Sequence, residues 1–101
     1  MSQAPTLRKA GDGRFALNGA LTLTTVAALR EQGRQAFAAA AGDIVVDLGG
    51  VERTDSGGLA LLVDWLAWAQ AAHRKLNFSA LPEALRALAR VSDVEDLLAG
   101  S

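Results

Sequence analysis

A carboxylate and a hydroxyl stand side by side in Thr54-Asp55-Ser56-Gly57-Gly58-Leu59, between the β-branched run Ile44-Val45-Val46 and a long apolar segment that reads as a helix. The first N–H groups of a helix lack intrahelical partners and carry the positive end of the macrodipole, so a side-chain oxygen or a phosphate at Ser56 is stabilised there. Two kinds of chemistry are open. Asp55 and Ser56 can cap the helix, or the Ser56 hydroxyl can contact a partner and serve as a phosphoacceptor. A phosphoryl group there would bring roughly two negative charges, tolerated at a helix N-terminus but able to repel a docked partner. Nothing nearby in the sequence supplies a base for Ser56, so no catalytic residue is expected.

Other chemistry-bearing residues are few. The chain has no cysteine and a single histidine, His73, which excludes disulfides, thiolate zinc sites and His-based metal or nucleophile constellations. No metal or cofactor is expected. His73 falls at a helix end, where it reads as exposed or dipole-complementing. Glu52, Arg53 and Asp64 read as solvated or interface-rim charges, with Arg53 the best suited to pair across a contact. Gly11-Asp12-Gly13 lacks the following helix and lysine of a phosphate loop and reads as a hairpin turn.

A chain of 101 residues with a formal charge of −1 is expected to form one domain over 1–101, without room for a second catalytic module. Lys and Arg cluster only at Arg8-Lys9 and Arg74-Lys75, so nucleic acid is not an expected partner. The N-terminus has no apolar signal core, and the richest apolar run, Leu59 to Ala69, is too short to span a bilayer and contains Asp64. A cytoplasmic protein without direct membrane insertion is expected. Its 50% hydrophobic content must be buried in a core, in a partner, or in both.

The elements that would position the motif follow from periodicity. Thr6 to Lys9 and Arg14 to Leu17 flank Gly11-Asp12-Gly13 as a hairpin, with Phe15 and Leu17 on the core face. After Asn18-Gly19, Thr22, Thr24 and Thr25 offer N-caps to a helix carrying Val26, Leu29, Gly33, Phe37 and Ala40, ended by Gly42. Asp43 to Leu48 reads as a strand buried on both faces, followed by a loop from Gly49 to Arg53. A central helix then runs from about Gly57 to His73, with Arg74-Lys75 complementing its dipole. Leu76-Asn77-Phe78 forms a short strand. Pro82 opens the first turn of a helix with Leu85, Leu88 and Ala89 on one face, and Ser92-Asp93-Val94-Glu95 has the spacing of a capping box for a last turn through Leu97-Leu98. The order β-β-α-β-α-β-α-α implies an α/β fold, a small mixed β-sheet of about four strands covered by about four helices. Functional turns in such folds lie at the carboxyl ends of parallel strands, where the Asp55-Ser56 turn falls.

The central helix is apolar on more than one side. Leu59, Leu62, Val63 and Leu66 form the stripe expected to face the sheet, while Leu61, Trp65 and Trp68 form a second one. That second stripe suits a protein interface, since tryptophan is enriched at hot spots. The alternative is that the indoles tuck against another helix of the same domain, a choice more open for Trp65 than for Trp68. A homodimer through the Trp stripe is also open for the domain studied alone.

These residues resemble a known family. Val45-Val46-Asp47-Leu48, Thr54-Asp55-Ser56-Gly57-Gly58-Leu59, the long apolar helix and Leu81-Pro82 are similar to the STAS domain of anti-sigma-factor antagonists, over nearly the whole chain. The compact form Asp55-Ser56-Gly57-Gly58-Leu59-Ala60-Leu61-Leu62, with Leu85-Arg86-Ala87-Leu88-Ala89 behind it, is most similar to the STAS subunit of the phospholipid ABC transporter that maintains outer-membrane lipid asymmetry. The resemblance implies a non-catalytic regulatory subunit, peripheral to the inner membrane, docked on an ABC transporter ATPase subunit within a complex with a membrane permease. Its contact would comprise Arg53, Thr54, Asp55, Ser56, Gly57, Leu61, Trp65 and Trp68. Antagonists of sigma-factor regulators usually carry a second hydroxyl after the first; here Gly57 takes that place, and no clear strand follows the third helix. Both departures favour the transporter subunit over an antagonist controlled by phosphorylation of Ser56.

Overall fold

Alternation of Phe15, Leu17 and Leu21 turns one face of a strand inward, and in the computed structural model, which describes residues 4–92, 94 and 98, that strand lies in a four-stranded sheet. The elements are β1 (Thr6–Gly11), β2 (Arg14–Leu21), α1 (Val26–Ala39), β3 (Ile44–Thr54), α2 (Ser56–Ala71), β4 (Leu76–Ser79) and α3 (Glu83–Val91). The spatial order is β1-β2-β3-β4, with β1 antiparallel to β2 and the other neighbours parallel. The mixed sheet and the hairpin agree with the sequence reading. The last turn expected over 92–98 lies largely outside the described residues, among which three helices form.

Two strands run further than their composition indicates. β2 continues past Leu17 through Asn18-Gly19 to Leu21, and β3 continues through Gly49-Gly50 to Thr54, so the loop expected from Gly49 to Arg53 is strand. The pairing slips between Ala16 and Asn18 and again between Gly19 and Ala20, so turn-forming residues are carried inside the ladder as irregularities. Gly50 is where the Asn18 side chain crosses to β3, in space that a Cβ would fill.

The helices supply a cover for one sheet face. Ile44, Val46 and Leu48 join Phe15, Leu17 and Leu21 in a single core with Leu29, Phe37, Leu62, Trp65 and Leu85. Val45 is half-buried and Asp47 exposed, so β3 is buried on one face and not on two. Arg8, Arg14, Asp47 and Ser79 are all exposed.

Helix ends also differ from expectation. α1 stops at Ala39 with Ala40 already extended, and Gly42, at φ +76°, turns the chain beyond the end and does not cap it. Arg74 does not serve its own helix. Its guanidinium donates to the carbonyls of Phe37 at 3.3 Å, Ala40 at 2.7 Å and Gly42 at 2.8 Å, neutralising the carboxyl end of α1, which has no basic residue in its last turn. Pro82 is the N-cap residue of α3 and not its first helical residue.

Candidate functional site

β3 runs parallel to both neighbours and hands the chain to α2 at Asp55, so the motif occupies the carboxyl end of a central strand. Asp55 is the N-cap. Its Oδ1 accepts from the Gly57 N–H at 2.7 Å and from the Leu23 N–H at 3.1 Å, while its own N–H donates to the Leu21 carbonyl at 3.2 Å. One carboxylate thus satisfies an orphan donor of α2 and ties down the loop that leads into α1. With capping assigned to Asp55, Ser56 becomes the first helical residue, and its exposed hydroxyl forms no hydrogen bond among the described residues.

The two glycines after Ser56 are there for space. A Cβ at Gly57 would lie 2.5 Å from the Leu23 nitrogen and 2.7 Å from its Cα; one at Gly58 would lie 3.0 Å from both the Leu21 Cβ and its carbonyl oxygen. A side chain at position 57 would therefore require the Leu23 backbone or the start of α2 to shift, which gives the departure at Gly57 a steric cause. Thr54 is half-buried above Gly58 and donates to the Asp55 carbonyl at 3.3 Å. Of Thr22, Thr24 and Thr25, all read as N-cap candidates, Thr25 is the N-cap residue of α1, but its hydroxyl makes no capping bond to the helix and closes the loop instead, donating to the Ala20 carbonyl at 2.7 Å and accepting from the Thr22 N–H at 2.9 Å.

The second apolar stripe needs correction. Leu61 and Trp65 are both 0% exposed and belong to the domain's own core, so their side chains offer no surface to a partner or to a second copy. The reason is angular: Leu61, Leu62, Trp65 and Ala69 fall within one arc of α2, and that arc is received jointly by the sheet, α1 and α3. The Trp65 indole lies against Gly33 of α1, donates Nε1–H to the Arg30 carbonyl at 3.2 Å and meets Phe37 edge-on with centroids 5.1 Å apart. Trp68 is half-buried, 5.9 Å from Phe37, and retains an accessible part. Asp64, read as a solvated or rim charge, bridges two helices, accepting from Arg34 at 2.8 and 2.9 Å with Arg30 at 3.9 Å.

Around Ser56 the structure gathers a different set. Leu23, absent from the sequence-based site, is 68% exposed, and its backbone touches the start of α2. The only sequence signal was a leucine set among threonines in a polar loop. Glu52 and Arg53 are exposed and, with Val51, Thr54, Pro82 and Ala84, line a shallow recess of about 290 Å³ between β3 and α3. His73 is exposed at φ +56°. Among the described residues no group of three or more His, Cys, Asp or Glu side chains could hold a metal, and no helix is long and apolar enough to cross a membrane. Near the start of α2 the described residues therefore present the exposed Leu23 side chain and the unengaged Ser56 hydroxyl, with the Arg53 side chain exposed at the end of β3.

Comparison with known proteins places this geometry. No curated protein matches the sequence. The structure of the anti-sigma factor antagonist SpoIIAA in its unphosphorylated form superimposes with a TM-score of 0.71 at 17% identity, over 94% of this chain and 85% of that one, which shows a shared fold. The family model described as "Mlab, STAS domain" matches residues 6–99, so the chain belongs to the STAS domain family and within it is most similar to MlaB.

Proposed function

We propose that this STAS domain is a non-catalytic regulatory subunit that docks on the ATPase subunit of a phospholipid ABC transporter maintaining outer-membrane lipid asymmetry, in a complex with a membrane permease. The observation that carries the reading is the juxtaposition of Ser56, exposed and unengaged, with Leu23, 68% exposed, on either side of the Asp55 clamp. A large apolar side chain held in water by a fixed backbone suits a protein contact. Because Asp55 holds both segments, the surface is ordered before docking and little conformational entropy is lost on association. Arg53 at the rim supplies a charge for orientation, and Trp68 contributes only through its accessible part. Leu61 and Trp65 act indirectly, by fixing α2.

The test is co-purification with the ATPase and measurement of ATP turnover. Leu23→Asp and Ser56→Asp are expected to abolish retention and lower turnover while leaving the domain folded. Full retention and full turnover in both variants would sink the proposal.

A second reading, an anti-sigma-factor antagonist switched by phosphorylation at Ser56, is favoured by one observation, the accessibility of that hydroxyl at a helix N-terminus. It predicts a phosphate adduct by intact mass after incubation with a cognate kinase and ATP, absent in Ser56→Ala. Gly57, standing where such antagonists usually carry a second hydroxyl, supports the transporter reading.

A further inference from the structure

β1 is an edge strand, bonded to β2 on one side only. Its free side presents backbone N–H and C=O groups that can be paired by another extended chain. Behind that edge lies a groove of about 310 Å³ between β1 and the carboxyl-terminal half of α1. Leu7 and Phe15 form its apolar sheet side, Ala36 and Ala39 of α1 with Ala40 just beyond the helix end its opposite wall, and Lys9 and Gln32 complete the lining. The groove exists because α1 carries alanines where it overhangs the edge, so no larger side chain fills the gap. An unpaired strand edge beside an apolar groove is the combination that receives an extended peptide: backbone pairing supplies affinity, and the groove takes alternate side chains.

We propose that this edge is a strand-addition site for an extended acidic-apolar segment of another protein, with apolar residues entering the groove and a carboxylate meeting Lys9. Charge decides the occupant. The strand TLRKAG carries two cations and no anion, and Lys9 forms no ion pair among the described residues. A second copy of this chain pairing β1 to β1 would bring Arg8 and Lys9 against the same cations, which like-charge repulsion disfavours. The irregularity between Lys9 and Gly11 leaves the strand regular from Thr6 to Lys9, where alternate residues turn their N–H and C=O groups to the free side. The site is distinct from the Ser56 turn, which adjoins the opposite end of α1, and does not rest on the transporter reading.

The experiment selects a phage-displayed library of random short peptides against the full chain, then compares the enriched peptide with a copy N-methylated at alternate amides. Expected are sequences alternating apolar residues with at least one acid, affinity weakened about tenfold or more by N-methylation, and a similar loss in Lys9→Glu and Ala39→Trp, both at exposed positions where folding is preserved. Amide shifts in NMR spectra should map to Thr6–Lys9. Failure to enrich such peptides, equal binding of the N-methylated copy, undiminished binding by Ala39→Trp, or dimers of the chain alone that Lys9→Glu dissociates would each overturn the proposal.

Discussion

Gly33 and Gly57 permit close approach at two places on α2, with opposite results. At Gly33 the missing side chain admits the Trp65 indole, and the indole closes the core: the ring is fully buried and its N–H satisfied. At Gly57 the missing side chain admits a backbone, that of Leu23, and the consequence is a surface, because the leucine side chain and the Ser56 hydroxyl are left facing out. The same steric device buries the aromatic residue that looked like an interface and exposes an aliphatic residue that did not. Apolar character alone therefore does not assign a residue on this helix to core or contact; what packs against the neighbouring glycine does.

The contrast can be broken most forcefully at its core side. Trp65→Ala should lower unfolding free energy by about 3–5 kcal/mol in chemical denaturation, the range for deleting a buried large aromatic side chain; a loss near zero would return Trp65 to the surface. Gly57→Ala should cost about 1–3 kcal/mol by forcing the start of α2 away from Leu23, and should disturb Leu23 amide signals before those of Trp65. Asp55→Ala removes the cap and the tie to Leu23, with an expected loss of about 1–2 kcal/mol and faster hydrogen exchange at the Gly57 and Leu23 amides. Ser56→Ala should change stability by less than about 0.5 kcal/mol, as for an exposed side chain with no partner. Any larger effect would show that the hydroxyl also caps. A loss of retention on the proposed ATPase partner without a change in melting would sharpen the division between the two sites.

Much of the scaffold was legible because period and punctuation agreed: the hairpin around Gly13, the strand at Ile44-Val45-Val46, the α2 start at Asp55 and the Leu85/Ala89 face of α3. Strand extents were not. Asn18-Gly19 and Gly49-Gly50 have turn composition, yet they are held in the sheet by cross-strand pairing that a local pattern does not contain. The Trp65 pocket was equally hidden, since it depends on a glycine in a different helix. The motif residues Thr54, Asp55, Ser56 and Gly57 lie at the junction of β3 and α2. Leu61 and Trp65 are buried in the core, and Leu23, which the sequence did not single out, is exposed beside the motif.

Arg74 links parts of the chain that periodicity treats as separate. It stands between α2 and β4 while its guanidinium holds the last carbonyls of α1, and the Lys75 carbonyl accepts from the Ile44 N–H at 2.9 Å. The end of α1, the start of β3 and the start of β4 are thereby fastened by one pair of adjacent residues. Such a fastening predicts a single cooperative opening unit, in which amides of Phe37 to Ala40 and of Ile44 exchange with a common free energy. Removing the guanidinium would then separate one protection class into two without changing the fold.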